Sequence, residues 1–340
     1  MSLNVPLQLT QLESGATVAT EMTLGVHCLG AIPAGFNSTA PVQHVSLPIL
    51  GDAADALNEV WHVSHACSGG QFEDIAYRRT EDVLFGSLAI DEARLAVEDG
   101  SSRLRAATES AYRQIFALLA AEGFSYLWRT WNYLPAIHEE ECGLERYRQF
   151  NIGRHQAFSA FARPVDSSPA ACALGTATGP LSIAFIAGRQ ASTRIENPRQ
   201  VSAFAYPSQY GPRSPTFTRA ATAPNGDGEI LFISGTASIV GHETLHHGNV
   251  VAQTRETVAN LAALLERANR GRASSPYQWN DLIYRVYIRH AQDYAVVRQT
   301  LEGLLGSAIQ AVYMQAEVCR HDLLVEIEAL AFKPSKATPS

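Results

Sequence analysis

The second half of this chain repeats, in the same order, a series of segments found in the first. Asp82-VLFGSLA parallels Glu229-ILFISGTA, and Ala107-TESAYRQIFALL parallels Gln253-TRETVANLAALL, which sets Thr108 opposite Thr254. LWRTWNYLPAI from Leu127 parallels LIYRVYIRHA from Leu282, Tyr147-RQF parallels Val297-RQT, and Leu181-SIAFIAG parallels Val325-EIEALAF. Matches that keep one order over so long a stretch point to a duplicated unit, so the fold must be something that can be built twice.

The second copy is the easier to read. Glu229–Gly235 is a short apolar, β-branched run ending at glycine, as expected of a buried strand. Val251, Thr254, Val258, Leu261 and Leu265 recur at steps of three and four, giving one face of a helix. Asn280–His290 predicts a strand, Asp293–Gly306 a helix, and Ala311–Val318 and Leu323–Phe332 two final strands. The order strand, helix, strand, helix, strand, strand occurs in both copies. The fold class is therefore α/β (α+β): two tandem repeats, each a mixed β-sheet packed by two helices. We divide the chain into an amino-terminal extension over 1–60, a first repeat over 61–190 and a second over 200–335. Arg163-PVDSSPA is a loop within the first repeat, and the joint lies near Arg189-QASTRIENPRQ.

Composition removes several function classes. No apolar run is long enough for a membrane span, and MSLNVPLQLTQLESG lacks the basic and apolar regions of a signal peptide. Five scattered cysteines without a C-x-x-C suit reduced thiols in a cytoplasm. A net charge of −7 gives no broad attraction to nucleic acid. Lysine occurs only at Lys333 and Lys336, which excludes Schiff-base and Walker-lysine chemistry and leaves anion recognition to arginine.

His242-Glu-Thr-Leu-His246 matches the H-E-x-x-H pattern of zinc proteases, which works only when one helical turn brings both histidines to one face. Here the motif lies between a strand and a helix, bracketed by Gly241 and by Gly248-Asn249, with Asn249 suited to an N-cap. We read it as a polar loop and expect no metal; a zinc hydrolase is the competing reading.

Tyr210-GPRSPTFTRA, ILFISGTAS, Gly248-NVVAQTRETVANLAALL and the terminal VEIEALA resemble the RidA/YjgF superfamily. With Trp131-NYLPAI, Glu145-RYRQFNIGRHQAF and SGTASIVGHETLHHGNVVAQT, the chain from about residue 80 to 332 resembles a narrower family, the bacterial chorismatases. The resemblance implies two RidA-like repeats in one chain and release of pyruvate from chorismate. It implies neither metal nor organic cofactor. RidA relatives form trimers; duplication within one chain suits a monomer instead.

Chorismate carries two carboxylates, a ring hydroxyl and an enolpyruvyl ether, and each asks for particular side chains. For the carboxylates the resemblance points to Arg154 and Arg213, with Arg148 open between binding and structure because Arg298 matches it in the other repeat. Tyr206 and Tyr210, flanking Pro207-Ser-Gln, are candidates to hold a carboxylate or pack on the diene, with plain loop packing an equal alternative. Cleavage starts by protonating the methylene carbon, which needs a carboxyl still protonated near neutrality. Glu326 and Glu328 sit two apart on a strand and so share a face, whereas the aligned first-repeat residues are Ser182 and Ala184. One active site per chain follows, with Glu326 the acid implied by the resemblance and Glu328 a supporting neighbour. Cys319, expected on the adjacent strand of a hairpin through Arg320-His321-Asp322, resembles the hydroxybenzoate-forming branch, where a thiol can shuttle a proton as the ring aromatises. The expected products are 3-hydroxybenzoate and pyruvate, with 4-hydroxybenzoate compatible as a second aromatic product. The alternatives are hydrolysis to 3,4-dihydroxycyclohexa-1,5-diene carboxylate, and a RidA-like small-molecule binding or enamine-scavenging protein.

Overall fold

A computed structural model describes residues 7–13, 20–32, 38–51, 55–98, 100–272 and 275–334. The stretch 1–6, part of the signal-peptide argument, and Lys336 lie outside the described residues. The amino-terminal extension forms a four-stranded sheet from β1 (Gln8–Glu13), β2 (Thr23–Gly30), β3 (Val42–Val45) and β4 (Ala56–His62), in the order β1-β4-β2-β3.

The first half then gives β5 (Ser68–Phe72), β6 (Ile75–Arg79), β7 (Val83–Ile90), α1 (Arg103–Glu122) and β8 (Tyr126–Pro135). A small hairpin of β9 (Glu140–Glu141) and β10 (Leu144–Glu145) leads into α2 (Arg146–Ala160), β11 (Ala170–Thr176) and β12 (Leu181–Gly188). The second half gives β13 (Thr193–Ile195), β14 (Ala220–Asn225) and β15 (Gly228–Ala237), then a hairpin of β16 (Ile239–Val240) and β17 (Glu243–Thr244). It ends with α3 (Val250–Asn269), β18 (Ile283–Ile288), α4 (Tyr294–Leu305), β19 (Gln310–Gln315) and β20 (Val325–Pro334).

The two six-stranded sheets run β11-β8-β12-β7-β6-β5 and β19-β18-β20-β15-β14-β13. Position by position these are the same sheet, each with one parallel pair, β11 with β8 and β19 with β18, at its edge. The helices match too. Both α1 and α3 start at a side-chain N-cap, Ser102 accepting from Arg105 N and Asn249 from Ala252 N. Thr108 and Thr254 both donate back to a carbonyl four residues earlier, Leu104 O and Val250 O.

Apolar residues of α1, α2 and the first sheet form one core, and α3, α4 and the second sheet another. A third core, with Trp61, Trp131, Phe232 and Met314, joins the inner faces of both sheets to the amino-terminal sheet. Polar side chains are also buried in that third layer, and the site opens at its margin, beside a small separate cluster of Ala237, Ile239, Val318, Leu323 and Cys319.

Three sequence expectations need correction. The last two strands are not hairpin neighbours: β18 lies between β19 and β20, because the parallel β18–β19 pairing takes the edge and the chain must cross back through Val318–Leu324. The strand expected over Ala311–Val318 pairs only to Gln315. The segments from Leu127 and Leu282, set end to end, slip by one: Tyr133 opposes Ser182 as Tyr287 opposes Glu326, and the two tyrosine hydroxyls meet at 2.8 Å.

Candidate active site

The second sheet departs from the first at one place. In β7, Ser87 alone opposes Ala184; in β15 the register shifts so that both Ser234 and Gly235 stand opposite Glu328, a β-bulge. The bulge brings Gly235 against the Glu326 side chain, where a Cβ would overlap the carboxyl. Glycine at this point is what leaves the acid its room.

Glu326 is 3% exposed and lines a cavity of about 540 Å³. Among the described residues no side chain hydrogen-bonds to its carboxyl. Burial, and secondly the charge of Glu328, push its pKa up to about 8, against the opposing pull of Arg129 and Arg219. Such a carboxyl is neutral at pH 7 and has a proton to give.

Glu328, on the same face, does not reach the cavity. Arg129 pairs with its Oε2, while Arg285 Nη1 at 3.2 Å and the Tyr287 hydroxyl at 3.0 Å donate to its Oε1. Arg285 in turn donates through Nε and Nη2 to Glu59 of β4. Two carboxylates and two guanidinium groups thus make a buried chain beneath Glu326.

The cavity wall carries Arg148, Arg219 and Arg320, with Tyr147, Tyr206 and Tyr210. Arg219 donates to Val201 O and to the Tyr206 hydroxyl, at 2.8 and 2.7 Å, but its buried Nε has no acceptor among the described residues. Arg320 lies 4.0 Å from the Tyr210 ring centre and donates to His242 O, and its Nη2 is likewise without an acceptor. Arg154, from α2, is buried against the Tyr112 and Phe158 rings with both Nε and Nη2 unaccepted. It borders a smaller hollow that shares Tyr147, Gly235, Cys319 and Glu326 with the main cavity. Buried cationic N–H groups without acceptors are costly, and convergent ones define a place for anions.

Of the candidates named from sequence, Glu326, Cys319, Arg148, Tyr206 and Tyr210 line the main cavity and Arg154 the adjoining hollow. Arg148 is tied to Glu145 at 3.2 Å. Arg213 does not come to either wall. It is exposed and faces His155, whose pKa is lowered by burial and by the Arg213 charge. Gly211, at φ 136°, turns the loop over Arg148, so the wall arginine from this segment is Arg219, six residues on. Arg219 stood within the quoted Tyr210-GPRSPTFTRA, and its alternation with Phe217 was the available signal. Arg320, next to Cys319, had no signal, because it depends on a crossover that is not visible in the sequence.

Cys319 lies in that crossover rather than on a strand. Burial and the nearby Glu326 charge push its thiol up to about 12, so it is an S–H group at neutral pH. Cys172 of β11, fully buried behind Gly235, is likewise raised by burial and then by Glu328. The H-E-x-x-H segment is not helical: Glu243–Thr244 is a strand of the small hairpin, His242 accepts or donates at Tyr210, and His246 has φ 60° and faces Glu256. The two histidines therefore do not share the helical face that the zinc motif requires.

Comparison with known proteins gives a consistent picture. The family described as chorismatase FkbO/Hyg5-like, N-terminal, matches residues 59–187. A chorismatase of Streptomyces rapamycinicus is 36% identical over 283 residues, covering 81% of this chain and 82% of that protein. A 3-hydroxybenzoate synthase of Streptomyces hygroscopicus is 33% identical over 295 residues, 84% of each. A chorismatase crystal structure superposes with a TM-score of 0.84 at 31% identity, covering 97% of this chain and all of that one.

Proposed function

This chain belongs to the chorismatase family, and from that premise we propose that it cleaves chorismate to pyruvate and 3-hydroxybenzoate. The observation that carries the reading is a neutral, buried carboxyl, Glu326, in a cavity where Arg219 and Arg320 each keep an N–H without an acceptor among the described residues, as Arg154 does beside the adjoining hollow. The substrate dianion is held by Arg154, Arg219 and Arg320, with Arg148 and the hydroxyls of Tyr206 and Tyr210 at the rim. Arg213 has no part in this arrangement.

Glu326 gives its proton to the enolpyruvyl methylene carbon, leaving an oxocarbenium ion whose charge the new carboxylate offsets. The neighbouring ring hydroxyl then attacks that cation intramolecularly. The hydroxyl proton resets Glu326 as a cyclic ketal closes. One ring carbon–oxygen bond then breaks as the neighbouring ring C–H proton leaves, and the ketal collapses to pyruvate. The freed phenol oxygen takes up that proton, so hydroxybenzoate and pyruvate together balance chorismate without water. Cys319 enters as a neutral S–H, close enough to the acid to feel its charge, and serves as proton relay in the later steps. Glu328 supports the acid electrostatically and does not touch substrate. If water captures the cation first, the dihydrodiol forms instead.

The duplication within one chain suits a monomer. Five unpaired thiols support a reducing, cytoplasmic setting. Among the described residues no helix is long and apolar enough to cross a membrane. The test is incubation of purified protein with chorismate and product identification by mass spectrometry. Hydroxybenzoate with equimolar pyruvate is expected, dihydrodiol alone would select the hydrolytic alternative, and intact chorismate would refute the reading.

A further inference from the structure

The amino-terminal sheet has no counterpart in the duplicated halves, yet it sends one carboxylate into the site's foundation. Glu59 is 1% exposed, on β4. Its Oε2 accepts from Nε and Nη2 of Arg285, and its Oε1 accepts from Gln11 Nε2 at 3.1 Å. Arg285 spends its remaining Nη1 on Glu328 Oε1 and the Tyr133 hydroxyl, both at 3.2 Å. We propose that Glu59 is a positioning residue for the reaction: through Arg285 it fixes Glu328 beneath the acid and keeps the buried charge beneath Glu326 balanced at zero.

Charges buried this deeply must balance one another, because solvent does not offset them. Glu59 and Glu328 are balanced by Arg285 and Arg129, and the four are 1–5% exposed. Remove the Glu59 charge and Arg285, which cannot lose its proton, leaves one uncompensated positive charge under Glu326. That charge favours the ionised acid and weakens the proton donor. Other groups facing Glu326 are Arg219 ahead of β14, Cys319 and Arg320 from the crossover, Tyr147 from α2 and Cys172 from β11. Facing the ion chain are His27 of β2, whose pKa burial and then Arg285 lower well below the usual, and the hydroxyls of Tyr133 and Tyr287. The carboxylates that share the Glu326 cavity, Glu145, Glu243 and Asp322, lie apart from this ion chain, Glu145 pairing with Arg148 and His138 and Asp322 with His247, and do not replace Glu59.

The inference rests on reading Glu326 as the acid, so the wild type is the first control. The experiment is kcat against pH for wild type, Glu59→Gln, Arg285→Met and the double variant. In the wild type the alkaline limb marks loss of the Glu326 proton. In Glu59→Gln it moves down by about one pH unit. In Arg285→Met it moves up by less, because Glu59 can itself take up a proton. The double variant, again balanced by Arg129 and Glu328, returns toward the wild-type limb. If Glu59→Gln does not fold, the opposed shift in Arg285→Met and its reversal in the double variant carry the test. Variants that lose kcat or thermal stability equally at every pH, with the limb unmoved, overturn the proposal and leave Glu59 merely structural. A wild type with no turnover would instead refute the proposed function.

Discussion

The two sheets of this molecule are the same object put to different uses. On β12 the inward pair is Ser182 and Ala184, facing Tyr133 and Trp131 across the strand; on β20 it is Glu326 and Glu328, facing Tyr287 and Arg285. The tyrosines are kept and their hydroxyls meet near the pseudo-symmetric junction, while the position beside them changes from tryptophan to arginine as alanine changes to glutamate. A buried carboxylate needs a cationic partner across the strand; an alanine needs bulk. Only one of the two acids receives that partner. Glu328 is fully paired, Glu326 is not, and a proton holds Glu326 neutral instead. The duplication supplied the scaffold, and the inequality between neighbouring carboxyls supplies the chemistry.

The strongest break in the comparison is Glu326→Gln, which makes the second sheet resemble the first in charge. It should lower kcat by about 10³-fold or more, measured as pyruvate release from chorismate, with the fold retained.

The same variant should be the more stable protein above neutrality. The acid's folded value, about 8, lies above its ordinary value of 4.5, so its stability contribution is complete below 4.5 and is lost as pH rises to 8. Glutamine escapes that loss, on the order of 5 kcal/mol. Denaturant midpoints should diverge between pH 5 and 8 with the variant above, and parallel curves would contradict the raised value.

Arg154→Met removes a buried guanidinium that has no acceptor on Nε or Nη2 among the described residues. It should cut kcat/KM by about 10²-fold while leaving Tm unchanged or higher. A Tm drop with kcat/KM intact would assign Arg154 to the core. The reverse exchange, Ser182→Glu, places a carboxylate on β12 with Trp131 where β20 has arginine nearby. It should cost about 2 kcal/mol in chemical denaturation and add no activity.

The smallest effect concerns thiols. Exposed Cys142 should react with iodoacetamide well before half-buried Cys319, whose thiol is held up to about 12. Mass mapping of the first site labelled decides it.

Much of this was legible in the sequence because it is local. The repeated helices, the Asn249 cap, the strand carrying both glutamates and their absence from β12 all follow from spacing and side-chain type. What was not legible depends on non-local pairing. The parallel edge strand separates Cys319 from β20, a bulge of one residue re-aims Gly235, and a glycine turn sends Arg213 outward and leaves Arg219 at the wall. Nor does any local pattern in Leu57-Asn-Glu-Val mark Glu59 as the far end of a charge chain that runs through two other sheets.

The central claim is that Glu326 holds its proton at neutral pH, and infrared difference spectroscopy of wild type against Glu326→Gln reads that directly. The account predicts a protonated carboxyl C=O band at pH 7 that disappears as pH rises through about 8. A difference spectrum showing only ionised carboxylate at pH 7 would contradict it.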